Sequence, residues 1–98
     1  MDFNLLFDEW NINPETIILE PTSDFNKALV GVSEDSCHLI YSYEKLVKSL
    51  TKVYGSENDA REWIEYNTLR ALPYMNQDFV PIIIIHEFSV GEENGQGN

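Results

Sequence analysis

Three side chains of this sequence could bind a metal ion or take part in nucleophilic catalysis: Cys37, His38 and His86. The two histidines fall in different predicted strands, so their imidazoles could converge if those strands are neighbours. A structural zinc site needs four ligands at characteristic spacings, which this set does not have. A cysteine nucleophile needs a base and a third group that orients the base, and no such group is evident. The sequence therefore predicts no enzyme, no metal site and no other cofactor.

A second chemical candidate is the segment from Trp63 to Tyr74, where an apolar helical pattern runs into Asn67, Thr68 and Arg70. The helical period places Asn67 on the buried face, where an unpartnered amide would cost about 1 to 3 kcal/mol. One interpretation is that the helix breaks there, with Asn67 as a left-handed C-cap and Thr68 as the N-cap of a short turn. The other is a polar ligand pocket, and its four residues would be Tyr66, Asn67, Arg70 and Tyr74.

Arg70 has two interpretations of its own, since it is one of only two arginines in an acidic chain. It could receive a carboxylate or phosphate of a ligand, because its guanidinium presents a planar fork of donors. Alternatively, it could form an internal salt bridge that fixes the end of the second predicted helix. The sequence leaves both possibilities open.

The charge of the chain is the third candidate for function. It has 17 acidic and six basic residues, for a net charge of -11. Residues 1–26 contain six acids and no base, and every lysine lies between residues 27 and 54. Because direct binding to nucleic acid requires clustered lysine and arginine, this pattern instead favours a partner with a basic surface. The alternative is that the charge only keeps a small protein soluble.

Carboxylates are concentrated in the second predicted helix, where Glu57, Asp59, Glu62 and Glu65 fall within nine residues. At a rise of ~1.5 Å per residue this gives one charge every ~3 to 4 Å, close to the ~3.4 Å spacing of phosphates along one DNA strand. The helix could therefore mimic nucleic-acid charge, although a solvated helix face would show the same pattern. The residues predicted to bind a partner are Asp2, Asp8, Glu9, Glu15, Glu20, Asp24, Asp59, Glu62 and Glu65.

Local patterns predict the elements that position these residues. Two apolar runs, Lys27 to Val32 and Cys37 to Tyr41, are joined by a polar loop and predict a β-hairpin. Ser42 is a suitable N-cap for a helix from Tyr43 to Tyr54, which has apolar residues at helical spacing. Gly55 and Ser56 then predict a tight corner into a second helix.

Two further strands are predicted from β-branched runs. Ile82 to Ile85 is apolar on both faces and predicts a central or well-covered strand that ends near Phe88. Thr16 to Leu19 lies between two prolines and predicts an edge strand. The first dozen residues predict a short helix or turn.

These elements predict an α+β fold with a small, mainly antiparallel sheet of three or four strands packed on two helices. The 98 residues would comprise an acidic, partly ordered N-terminal extension (residues 1–26), an α+β domain (27–90) and a disordered tail (91–98). A single cysteine permits no internal disulfide, and no stretch reaches the ~18 apolar residues that span a bilayer. The start of the chain also lacks the basic region of a signal peptide, so the predicted location is the cytoplasm.

Residues from Ala28 to about Ile85 resemble a family of small, mostly uncharacterised proteins from Firmicutes genomes and their phages and mobile elements. The long segment from Trp63 to Tyr74 is the specific part of this resemblance. The shorter matching segments are Ala28 to Val32, Ile40 to Val47 and Pro81 to Ile83. The family implies a shared fold but offers no known activity, and residues 1–26 look like an addition to it.

A phage or mobile-element origin would fit a small acidic protein that occupies the cationic nucleic-acid site of a host defence nuclease, as anti-CRISPR proteins do. The predicted function is therefore inhibition by protein-protein binding in the host cytoplasm, with a Cas nuclease or effector complex as the partner. The alternative function is a small-ligand-binding or regulatory domain with its pocket around Asn67 and Arg70.

Overall fold

The computed structural model describes residues 3–86 and residue 88. A short 3-10 helix spans Asn26–Ala28, a π-helical turn spans Glu65–Leu69, and a second 3-10 helix spans Leu72–Tyr74. Among the described residues, no helix has the length and apolar content needed to cross a membrane. The predicted tail, residues 91–98, lies outside this part of the chain. In chain order the main elements are α1 (Phe3–Trp10), α2 (Thr22–Phe25), β1 (Leu29–Val32), β2 (Leu39–Ser42), α3 (Tyr43–Tyr54), α4 (Glu57–Ile64) and β3 (Ile82–Ile84).

The sheet has the order β1-β2-β3 and is mixed. The hairpin is confirmed, because β1 runs antiparallel to β2 with Val32 opposite Leu39. Strand β3 runs parallel to β2 with Ile40 opposite Ile82, and α3 and α4 lie in the connection between them. The predicted α+β class is therefore confirmed. The prediction of a mainly antiparallel sheet is wrong, because the sheet has one antiparallel and one parallel strand pair, and the helical connection returns β3 in the same direction as β2.

The prediction of a central strand at Ile82 to Ile85 is wrong. Strand β3 ends at Ile84 and lies at the edge of the sheet, with Ile82 41% exposed and Ile85 56% exposed. An unbroken isoleucine run usually marks a strand covered on both faces. Here β3 pairs only with β2 in the described sheet, so part of this apolar run faces solvent.

The predicted edge strand at Thr16 to Leu19 is also wrong, because this segment forms no strand and does not join the described sheet. The Ile17 N–H donates to the Phe79 carbonyl at 3.2 Å, and the Leu19 N–H donates to the Tyr41 hydroxyl at 3.2 Å. One acceptor is a backbone carbonyl in a turn and the other is a side-chain hydroxyl, so they provide no neighbouring strand. Burial raises the pKa of Tyr41, so this hydroxyl stays protonated to a higher pH than that of an exposed tyrosine.

The predicted corner between two helices is confirmed. The Ser42 side chain accepts a hydrogen bond from the Lys45 N–H at 3.3 Å and caps α3. Gly55 ends α3 in the left-handed region with φ of 89°, and the Ser56 side chain caps α4 by accepting from the Asp59 N–H at 3.1 Å. These caps satisfy helix-end groups that no residue within the helix can pair.

Replacing Gly55 tests the corner directly. A Cβ at this position would meet no atom within 4 Å, so the cost of Gly55→Ala arises from the backbone conformation alone. We expect this variant to lose about 1 to 2 kcal/mol of unfolding free energy, measured by urea denaturation. The control Gly55→Asn should lose less, since asparagine tolerates the left-handed region. Equal losses in both variants would contradict a cost that arises from the positive φ.

One hydrophobic core joins the sheet, the helices and the N-terminal segment. Phe25 is fully buried, and its ring makes edge-to-face contacts with Tyr41 and Trp63 at centroid distances of 6.3 and 6.0 Å. Ile12 and Leu19 belong to the same cluster. Residues that precede the predicted boundary at residue 26 therefore pack in the same core as the strands and α3.

Candidate functional site

The exposed side of α4 carries the clearest charged surface. Ala60 and Ile64 are buried, which fixes the opposite side of the helix toward solvent. Asp59 and Glu62 lie on that outer side, Glu65 follows at the C-cap of α4, and all three are exposed. The structure places none of these three carboxylates in an ion pair with a described residue. We call Asp59, Glu62 and Glu65 the α4 acidic face.

Glu57 differs from the α4 acidic face because it has a cationic partner. Its carboxylate lies 3.5 Å from the Arg61 guanidinium, one turn further along the helix. Arg61 also lies over the Tyr43 ring, at 5.5 Å from its centroid. Tyr43 and Glu57 both favour the charged guanidinium, which raises the pKa of Arg61 above its ordinary value. Arg61 is thus engaged on the flank of α4 and leaves the α4 acidic face uncompensated.

The acids predicted near the N-terminus do not form a comparable helix face. They are distributed over α1, the connecting segment and α2. Four are exposed and Asp24 is half-buried, whereas Asp2 lies outside the described residues. The four exposed acids are Asp8, Glu9, Glu15 and Glu20.

The segment after α4 changes its helical period, and this change removes the polar Asn67 side chain from the buried face. Residues Glu65–Leu69 form a π-helical turn, in which the Arg70 N–H donates to the Glu65 carbonyl at 3.1 Å. The wider turn contains an additional residue, which shifts the side chains that follow around the helix axis. Asn67 therefore faces solvent, and Thr68 is buried at 3% exposure. The Asn67 side-chain amide donates to the Trp63 carbonyl at 3.0 Å. The prediction that Asn67 is buried and the alternative prediction that it forms a left-handed C-cap are therefore both wrong.

The four residues of the predicted ligand pocket lie on an open surface. Tyr66 is 60% exposed and Tyr74 is 91% exposed. The Arg70 guanidinium lies over the Tyr66 ring, at 4.2 Å from its centroid. Arg70 forms no ion pair with any described residue, so the predicted internal salt bridge is wrong. A cation-π contact instead holds this arginine near the end of the π-helical turn.

The two histidines lie toward opposite ends of a parallel strand pair. His38 precedes β2, and its Nδ1 lies 2.7 Å from the Val80 carbonyl. His86 follows β3, and its Nδ1 lies 3.3 Å from the Glu44 carboxylate. Parallel register keeps the start of one strand beside the start of the other, so neighbouring strands do not bring these imidazoles together. No group of three or more potential metal ligands occurs in the described residues.

Asp35 organises the hairpin loop beside His38. Its carboxylate accepts hydrogen bonds from the Ser33 hydroxyl and, at 3.1 Å, from the Cys37 N–H. The Ser33 oxygen in turn accepts from the His38 N–H at 3.1 Å. The bond from Ser33 and then the bond from Cys37 lower the pKa of Asp35 below its ordinary value. The deprotonated carboxylate therefore favours the folded loop.

The Asp35→Asn variant should remove a pH-dependent contribution to stability. Since folding lowers the pKa of Asp35, this contribution is fully present above the ordinary value of about 3.9 and is lost as pH falls through the lowered pKa. We expect the difference in unfolding free energy between the wild type and Asp35→Asn to shrink between about pH 6 and pH 2. Urea denaturation at several pH values would measure it. A difference that stays constant with pH would contradict a stabilising role of the carboxylate charge.

A groove between α1 and β1 is a candidate that the sequence patterns did not indicate. It encloses about 470 Å³ and is lined by Leu6 and Trp10 of α1, by the whole of β1, and by Ile12 and Leu39. Helix α1 has no fully buried residue, and Trp10 is 58% exposed. The four-residue spacing of Leu6 and Trp10 was the one local signal, because residues so spaced share a helix face. The position of this face opposite β1 depends on contacts between residues that are far apart in the sequence.

Comparisons with known proteins give no relative for this chain: no protein-family model, no curated protein and no solved structure matches it.

Proposed function

We propose that this protein is a non-enzymatic inhibitor of the anti-CRISPR type, of phage or mobile-element origin, which binds the basic nucleic-acid site of a host defence protein. The observation that carries the proposal is the α4 acidic face. Asp59 and Glu62 are exposed on one side of α4, Glu65 is exposed at its C-cap, and none of the three has a cationic partner among the described residues. Such a surface is complementary to a site built to receive phosphates.

The spacing of the α4 acidic face supports this assignment. Asp59 and Glu62 are three residues apart in α4, so they are separated by about 4.5 Å along the helix axis, and Glu65 follows three residues later at the C-cap. Phosphates along one strand of DNA advance about 3.4 Å per nucleotide. A row of lysines and arginines that follows a phosphate backbone could therefore contact successive carboxylates of α4. The caps of α3 and α4 would hold these carboxylates in fixed positions before the partner binds.

The overall charge supports the same mode of action. A net charge of -11 attracts a basic partner over distances longer than a direct contact and speeds association. The same charge opposes direct binding to DNA or RNA. The protein would thus compete with nucleic acid for a protein surface.

Cleavage of target DNA by purified Cas effector complexes tests this proposal. We expect the protein to inhibit at least one such complex, and we expect its affinity to fall as salt is raised from about 50 to 500 mM, because salt screens exposed charges. Binding would be measured by biolayer interferometry on the same complex. Inhibition with an affinity insensitive to salt would contradict an electrostatic interface, and absence of inhibition across the complexes would contradict the anti-CRISPR assignment.

The alternative of a small-ligand domain has weaker support. Tyr66, Asn67 and Arg70 are all exposed, and Tyr74 is 91% exposed. Small-ligand sites generally bury most of the ligand in a concave pocket. An open pair of Arg70 and Tyr66 lacks that enclosure.

A further inference from the structure

The groove between α1 and β1 exposes more apolar surface than the fold itself requires. Trp10 of α1 is 58% exposed and Val30 of β1 is 39% exposed, and both line the groove. No residue of α1 is fully buried, so this helix covers the groove only in part. Clustered exposed apolar side chains beside a concave surface are typical of a binding site for another protein.

One wall of the groove is a strand with a free edge. In the described sheet β1 pairs only with β2. The Ser33 N–H donates to the His38 carbonyl at 2.9 Å, and antiparallel pairing alternates inward and outward residues. The N–H and carbonyl of Val32 therefore face away from β2, where they can pair with an added strand. A register shift at Val30 limits regular pairing to the segment that follows it.

Gly31 leaves the β1 side of the groove without a side chain at this position, although its backbone conformation does not require glycine. Its φ is not positive, in contrast to that of Gly55. A Cβ at Gly31 would lie 3.9 Å from Ile40 Cδ1, which is an ordinary van der Waals contact. A glycine inside a strand often marks the close approach of another backbone. The missing side chain thus leaves room in the groove, which Gly31 lines.

The negative charge of the protein indicates which kind of partner segment would bind in the groove. Two exposed acids are close in sequence to residues that line the groove, Glu9 next to Trp10 and Glu34 two residues beyond Val32, whereas Lys27 lies two residues before β1. A second copy of this chain would bring another net charge of -11 to the same place, which disfavours self-association. An extended segment that alternates apolar and basic residues complements both the apolar lining and the acids.

We infer that the groove between α1 and β1 binds an extended, basic and apolar segment of a partner protein, which adds to β1 as a further strand. The backbone of the segment pairs with the outward edge of β1. Its apolar side chains contact Leu6 and Trp10, and its basic side chains face Glu9 and Glu34. This inference does not rest on the α4 acidic face, and it concerns a different surface of the molecule.

Fluorescence anisotropy with a labelled eight-residue peptide of alternating valine and lysine tests the inference. We expect saturable binding to the full-length protein. A peptide with glutamate in place of lysine should bind at least tenfold more weakly, because the charges no longer match. A peptide with proline in place of two central valines should also bind at least tenfold more weakly, because proline cannot donate to a strand edge. Absence of saturable binding by the valine-lysine peptide would overturn the inference.

Variants of the groove locate the binding. Trp10→Ala and Gly31→Val should each weaken binding of the valine-lysine peptide at least tenfold, and thermal denaturation would check that both variants fold. The control Tyr74→Ala removes an aromatic ring that is 91% exposed away from the groove and should leave the affinity unchanged. Unchanged affinity in both groove variants, or equal affinity for the proline peptide, would overturn the inference.

Two further measurements distinguish a peptide-binding groove from a dimer interface and from the α4 acidic face. A dimer in sedimentation velocity that Trp10→Ala dissociates would assign the groove to a second copy and overturn the inference. The double variant Glu62→Gln/Glu65→Gln should bind the peptide within threefold of the wild type. Failure of peptide binding would therefore leave the inhibitor proposal standing, and failure of inhibition would leave the groove assignment standing.

Discussion

The Phe25→Ala variant is expected to lose about 3 to 5 kcal/mol of its free energy of unfolding. Phe25 is fully buried, and its ring contacts Tyr41 of β2 and Trp63 of α4 edge to face. Alanine would remove both ring contacts and leave a cavity that the surrounding helices and sheet can fill only in part. A typical domain has only about 5 to 15 kcal/mol of stability in total, so this variant should be close to unfolding at 37 °C.

Urea denaturation followed by circular dichroism would measure the loss at Phe25. The control Phe25→Leu keeps much of the apolar volume and should lose less than half as much. The result also bears on the N-terminal segment, because Phe25 precedes the predicted domain boundary at residue 26. A loss below about 1 kcal/mol in Phe25→Ala would contradict a core that includes this segment.

The second large effect concerns binding rather than folding. If the α4 acidic face contacts a basic site, the variant Glu62→Gln/Glu65→Gln should bind its partner roughly 100-fold more weakly. Each carboxylate would lose a charge-assisted contact of about 1.5 kcal/mol, and about 1.4 kcal/mol corresponds to a factor of ten in affinity. Both residues are exposed, so the melting temperature should change little. The measurement is the concentration that half-inhibits target DNA cleavage by the effector complex.

A matched control removes the same number of charges elsewhere. Glu44→Gln/Asp78→Asn changes two exposed carboxylates that belong to none of the proposed contact surfaces. Glu44 loses an ion pair with His86 in which both side chains are exposed, and it loses its charge in the first turn of α3. Each of these exposed interactions contributes only about 1 kcal/mol or less. If the control weakened inhibition as much as Glu62→Gln/Glu65→Gln, net charge rather than the α4 acidic face would be responsible.

Features that are determined by residues adjacent in the sequence could be predicted, whereas features that depend on pairing between distant segments could not. Helix α3 has its predicted bounds because Ser42 and Gly55 mark its ends locally. The hairpin follows from two short runs with a polar loop between them. The parallel pairing of β3 has no such signal, because its partner lies about forty residues earlier in the chain. The isoleucine run predicted a covered strand, and that prediction failed because the run could not reveal an edge position, where Ile82 and Ile85 are exposed.

The candidate sites show the same division. The crowding of acids on α4 follows from residue spacing, since a helix of known phase places Asp59, Glu62 and Glu65 together. The interpretation of Asn67 failed because it assumed an unbroken α-helical period, and a single π-helical turn changes which side chains face the core. The groove between α1 and β1 could not be predicted, since it arises where two elements that are separate in sequence meet.

The parallel pairing of β3 with β2 also bears on the order in which the molecule assembles. Val32 and Leu39 of the hairpin are seven positions apart, whereas Ile40 and Ile82 are 42 positions apart. Bringing distant segments together costs more chain entropy than closing a hairpin, and it slows folding. The hairpin and the α3–α4 corner can therefore form first, and β3 docks onto a surface that already exists. In amide hydrogen exchange, β3 should accordingly open before the hairpin does.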